Sequence, residues 1–168
     1  MFAFRSHREE RVVAQTPPPG YHSVTPYLAV DGAAEAIDWY GRAFGASEVM
    51  RMEHGGKIGH AEIRIGNSHV MLADEHPEMN HIGPKTRGGA TASFMIYLDD
   101  VDSAFRTAIE AGATELRPVS DQFYGDRAGT LADPFGHVWT LATHVEDVPE
   151  EEMERRMAES SKESEPAE

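Results

Sequence analysis

The feature that most constrains this chain is that it repeats itself. Sliding the sequence along itself by 68 residues lays VTPYLAVDG (24–32) on ASFMIYLDD (92–100), and HVM (69–71) on HVW (137–139). Two helical stretches keep the same relation. DGAAEAIDWYGRAFG puts Ala33, Ile37, Tyr40 and Phe44 on one stripe, with Asp31 as a start signal and Gly45 as a stop. DDVDSAFRTAIEAG does likewise with Val101, Phe105, Ala108 and Ile109, capped by Asp99 or Asp100 and stopped by Gly112. Apolar residues three and four apart share a helix face, a leading Asp can accept the first free N–H groups, and a trailing Gly can turn left-handed.

Each copy reads as strand, helix and three strands. The expected spans are 22–30, 32–44, 47–53, 58–65 and 69–74, then 92–98, 100–111, 114–118, 127–132 and 137–143. A helix covers one face of such a sheet and leaves the other bare, so two units, in one chain or across a dimer, pair around a cavity. The expected fold is therefore α+β: two βαβββ modules, 21–84 and 92–146, forming a curved mixed sheet around a cavity with the helices on the outer face. The glycine-rich stretch 85–91 reads as the linker. Residues 1–20, ending in TPPPG, read as a flexible tail closed by a stiff, non-helical connector. Residues 147–168 hold nine acids against Arg155, Arg156 and Lys162. They read as an acidic tail, either solvated throughout or with a short helix over EDVPEEEMERRM followed by disorder.

Composition narrows the function classes. A net charge of −14 argues against nucleic acid, whose phosphates call for a basic face. There are no cysteines, which excludes disulfides, thiolate metal sites and a cysteine nucleophile. No apolar run is long enough to span a membrane, and the start carries no apolar stretch of signal-peptide length. The expectation is a cytoplasmic protein with no membrane partner.

Strand alternation then sorts the side chains that carry chemistry. In the first strand Val24, Leu28 and Val30 should meet the helix, leaving Thr25, Tyr27 and Ala29 toward the cavity. The matching strand offers Ser93, Met95 and Tyr97; the last offers Val138, Thr140, Ala142 and His144. GHAEIRIG puts Ala61, Ile63 and Ile65 on one face and His60, Glu62 and Arg64 on the other. A His–Glu pair two apart on a strand suits acid/base work, substrate orientation, or metal binding with a third ligand. The plain alternative is a charge-balanced surface in which Arg64 neutralises Glu62. DQFYGDRAG sets Tyr124 and Arg127 at the expected cavity mouth, suited to a planar or anionic ligand; Arg127 could equally pair with Asp121 or Asp126. His69 and His137 start matching strands and should face away from the cavity.

The doubled βαβββ pattern, with VDGAAEAIDWYGRAFG after the first strand and DPFGH before the last, resembles the vicinal oxygen chelate superfamily of glyoxalases, bleomycin resistance proteins and extradiol dioxygenases. YHSVTPYL, IGHAEIRIG and DQFYGDRAGTLADPFGH look more like its PhnB-like branch. The resemblance covers residues 21–150. It implies metal ligands on the first and last strand of each module, usually His, Glu or Gln. Carried over, those positions are Thr25, Leu72 (to within one residue), Ser93 and Thr140. Neutral hydroxyls and a leucine are poor or impossible donors, so no metal and no cofactor is expected. The resemblance further implies a homodimer.

Three functions follow as expectations. The first is a metal-free small-molecule binding protein whose ligand meets Thr25, Tyr27, Ser93, Tyr97, Tyr124, Arg127, Thr140 and His144. The second is a glyoxalase-like isomerase or lyase using His60 and Glu62. The third is an interaction module whose acidic tail engages a partner.

Overall fold

A computed structural model of the chain describes residues 14–163. The tail expected over 1–20 thus lies largely outside the described residues, as do residues 164–168. In the first module, β1 (Tyr27–Val30), α1 (Ala33–Phe44), β2 (Ser47–His54), β3 (Lys57–Ile65) and β4 (Ser68–Asp74) follow in order. A 3₁₀ turn (Pro77–Met79) and the short α2 (Pro84–Arg87) lie between the modules, so the glycine-rich stretch is not plain linker. The second module holds β5 (Ser93–Tyr97), α3 (Val101–Glu110), β6 (Thr114–Asp121), β7 (Asp126–Ala132) and β8 (Val138–His144). The chain continues into α4 (Glu150–Glu163).

The fold is α+β with two matching four-stranded mixed sheets, ordered β1-β4-β3-β2 and β5-β8-β7-β6. In each, the outer pair β1–β4 or β5–β8 is parallel and the rest antiparallel. The sheets do not close around a cavity within one chain. One apolar core instead joins the modules through their helix sides, running from Trp39, Tyr40 and Ile63 to Phe105, Leu131 and Trp139. Trp39 Nε1 donates to Ala111 O at 2.8 Å, tying α1 to the end of α3. Among the described residues no helix is long and apolar enough to cross a membrane.

Local signals behave unevenly. Asp100 caps α3 as expected, accepting from Ser103 N at 3.0 Å. Asp31 does not cap α1. The start of α1 is served by Asp74, whose Oδ1 accepts from Gly32 N and Ala33 N at 3.2 and 2.8 Å. Its Oδ2 accepts from Ile58 N, so one carboxylate joins α1, β3 and β4. Val24 is 83% exposed and lies before β1, so it does not meet the helix.

The DPFGH turn differs from its counterpart in a way that matters for the site. Six residues separate the paired Ile63 and Val70, whereas seven separate Leu131 and Trp139. Beyond these turns the modules are therefore related by 69 residues and not 68. Tyr27 pairs with Met71, and Met95 with Thr140. The structural counterpart of Thr140 is thus Met71. Leu72 is fully buried on the helix side.

Candidate functional site

The open face of the first sheet carries the densest chemistry. Strand pairing sets Tyr27, Met71 and Glu62 in one row across β1, β4 and β3. Ala61, Ile63 and Ile65 are buried beneath, which turns His60 and Glu62 outward with about a quarter and an eighth of their side-chain surface exposed. The Nε2 of His60 lies 3.1 Å from Glu62 Oε1, and its Nδ1 lies 2.8 Å from Tyr27 Oη. Tyr21 donates its phenol proton to Glu62 Oε2. That bond, followed by the contact with His60, holds the Glu62 carboxyl below the usual carboxylate range. An ionised carboxylate can only accept, so His60 donates from Nε2, and in the neutral imidazole Nδ1 is then the acceptor for the Tyr27 proton. The result is a directional chain, Tyr27 to His60 to Glu62. Burial, then the Glu62 charge, raises the Tyr27 phenol and keeps it protonated.

A second polar cluster sits on the other sheet. Tyr97 Oη donates to Asp126 Oδ2 at 2.9 Å. His144 faces a carboxylate with each nitrogen, Asp126 Oδ1 at 2.7 Å and Asp147 Oδ1 at 3.0 Å. Asp126 first and Asp147 second raise the imidazole above its ordinary value, favouring imidazolium. Asp147 therefore anchors the exit toward α4.

The other expected residues distribute as follows. Thr140 and Thr130 share a hydroxyl bond at 3.0 Å. Ser93 and Tyr97 line a largely apolar cavity of about 720 Å³ with Met95, Ile65 and Val70. Thr25, Glu62 and Met71 line a different one of about 540 Å³. The His60–Glu62 chain and the His144 cluster thus occupy separate sheets. Arg127 points to the helix side, where Nε and Nη2 both donate to Asp102 at 2.7 Å and Nη1 donates to Asp121 at 2.9 Å. Tyr124 sits in the turn before β7, edge-on to Phe123.

Three features were not anticipated. Tyr21 reaches over the open face. His69 lies on that face, parallel to the Tyr21 ring at 4.1 Å between centroids, and not turned away. Asp133 of the DPFGH turn is a buried hub that accepts from Tyr40 Oη, Trp139 Nε1, Phe135 N and His137 N. His137 is buried, with Nε2 donating to Ala29 O at 3.0 Å. The one-residue difference between the turns explains why the two histidines behave differently.

A glyoxalase-type metal does not fit this donor set. Strand pairing makes the four positions Thr25, Met71, Ser93 and Thr140: three hydroxyls and a thioether. Among the described residues no three His, Asp or Glu side chains are grouped to hold an ion.

The doubled module finds its match in a family model. Residues 20–141 fit the Glyoxalase/Bleomycin resistance protein/Dioxygenase superfamily. The chain belongs to that superfamily. The chain is 41% identical over 140 residues to uncharacterized protein Mb0911c of Mycobacterium bovis, covering 81% of this chain and 92% of that one. Uncharacterized protein Rv0887c of Mycobacterium tuberculosis matches at 41% identity, covering 81% and 82%. Among solved structures, TioX from Micromonospora sp. ML1 is 29% identical with a TM-score of 0.59, covering 73% of this chain and 98% of TioX. A PhnB protein from Bacillus cereus, described as a putative 3-demethylubiquinone-9 3-methyltransferase, shares the fold at 18% identity and a TM-score of 0.58, covering 73% and 98%.

Proposed function

We propose that the protein is a metal-free small-molecule binding member of the glyoxalase superfamily. The observation that carries this is the exchange at the family's metal positions. Thr25, Met71, Ser93 and Thr140 offer hydrogen bonds and soft apolar contact in place of strong donors. Beside them, Tyr27, His60 and Glu62 supply a fixed set of polar groups for orienting a ligand. The open face of the second sheet leaves Tyr97 60% and Met95 45% exposed, and that of the first is crossed by the segment around Tyr21. We infer that a second copy covers them and encloses the ligand.

The test uses tag-free protein. Metal quantitation should find no stoichiometric Zn, Mn, Ni or Fe. A small-molecule panel read by thermal shift should yield ligands whose effect falls in Thr140→Val and His60→Ala. Stoichiometric metal lost in His60→Ala or Glu62→Ala would overturn the reading. Sedimentation at micromolar concentration should show a dimer; a monomer would count against the covered faces.

The directional Tyr27–His60–Glu62 chain favours one second reading, proton transfer in an isomerase or lyase reaction. Tyr27, held protonated, would give its proton to a substrate oxygen, and His60 Nδ1 would take a substrate proton while Glu62 stabilises the imidazolium. Solvent deuterium should then enter a small carbonyl substrate, and Tyr27→Phe should slow this at least about a hundredfold.

A further inference from the structure

The first sheet already has something bound to it. The segment before β1 crosses the open face, and its contacts are those of a ligand. The Tyr21 ring lies over the His69 imidazole, 4.1 Å between centroids and 16° from parallel. Its hydroxyl donates to Glu62 Oε2. The adjoining Gly20 carbonyl lies 2.9 Å from His69 Nδ1, which fixes the imidazole under the ring. Gly20 has φ +86°, and a Cβ there would meet His69 Cε1 at 3.4 Å, so glycine suits both the bend and the close approach. Between this strap and the sheet lies a cavity of about 540 Å³, walled by Pro17, Pro18 and Tyr21 above and by Thr25, Glu62 and Met71 below.

We propose that this face is a receptor for a flat ring carrying one hydrogen-bond donor, of the phenol class, and that Tyr21 is its resident surrogate. The proposal rests on the binding reading above and names the ligand's chemistry. The recognition elements are a ring to stack upon, His69, and a charged acceptor at the ring's far end, Glu62. The other Glu62 oxygen meets His60, a contact that does not involve the strap. Prolines 17–19 stiffen the strap and lessen the entropy lost in holding Tyr21 down. Ser23 and His22 are exposed, and among the described residues Gly20 and Tyr21 meet the sheet through one stack and two hydrogen bonds. A tethered group held so lightly competes as though present at about millimolar concentration. A ring of matching shape displaces it by mass action, and the site screens out molecules that cannot do so.

The test uses p-cresol, the free equivalent of the tyrosine side chain, with the full chain and its Tyr21→Ala variant. Ligand-observed NMR titration should give a Kd at least about tenfold lower for Tyr21→Ala than for the unaltered protein, since the tethered competitor is gone. Toluene, which lacks the donor, should bind Tyr21→Ala more weakly than p-cresol. His69→Ala or Glu62→Ala, added to Tyr21→Ala, should each weaken p-cresol binding, with circular dichroism confirming the fold. Equal affinity for p-cresol with and without Tyr21, or no binding to a folded Tyr21→Ala, overturns the proposal. So does equal binding of toluene and p-cresol. If panel ligands bind both forms equally while p-cresol does not, the surrogate idea fails and the binding reading stands; if nothing binds either form, both fail.

Discussion

Asp133 accepts from four donors that come from α1, β8 and its own turn, and it is 4% exposed. Removing its carboxylate leaves a phenol, an indole N–H and two backbone N–H groups without a partner away from water. Each such loss costs about 1–3 kcal/mol. Asp133→Ala is therefore expected to lower stability by at least about 3 kcal/mol, read from the urea midpoint at constant slope. Burial and the Asp133 charge raise the Tyr40 phenol well above its ordinary value, so it remains a donor throughout the usable pH range. His144 yields a pH prediction. Its folded-state pKa is raised above 6.5 by Asp126 and Asp147, so its contribution is fully present below that value and fades as pH rises through the shifted one. NMR titration should place the His144 midpoint above 6.5, and Asp147→Asn should lower it. A midpoint unchanged in that variant would show that the contact with Asp147 carries no charge coupling.

At the scale of elements, β7 packs against α3 with no room to spare. A Cβ on Gly129 would lie 2.8 Å from both Phe105 Cε2 and Val119 Cγ2. Gly129→Ala should thus cost about 1–3 kcal/mol by overpacking, measured by chemical denaturation. Asp74→Ala strips α1 of its cap and Ile58 N of its acceptor, with an expected loss of about 1–2 kcal/mol or more. These two positions also show what a sequence reveals. The helices were legible because periodic apolar residues and glycine stops act over a few neighbours. The Asp74 cap was not, because it reaches 41 residues back to Ala33. The His60–Glu62 pair was legible from alternation alone, since a strand's period of two sets both on one face. Tyr21 was not, because a contact between a connector and a strand leaves no periodic trace. His69 was misplaced because HVM and HVW match as letters while the turns before them differ in length.

At the scale of the whole molecule, both modules contribute to one core, so neither helix face is complete alone. Trp39 packs edge-on to Phe135, 6.5 Å between centroids, and Tyr40 to Trp139 at 5.7 Å. Probes in the two modules should therefore report coincident unfolding midpoints. Trp39 fluorescence and exchange of amides in β7 would serve; separated transitions would show that the modules fold as independent units. The extra residue in the DPFGH turn bears on anyone who would rebuild a metal centre here by site-directed design. Numbering by sequence repeat points to Leu72, where a carboxylate would be driven into a fully buried apolar environment. Numbering by strand pairing points to Met71, half-buried on the open face, across from Tyr27 and Glu62 and lining the cavity beneath Tyr21. Two substitutions one residue apart thus separate a candidate for gained metal affinity from a variant that does not fold.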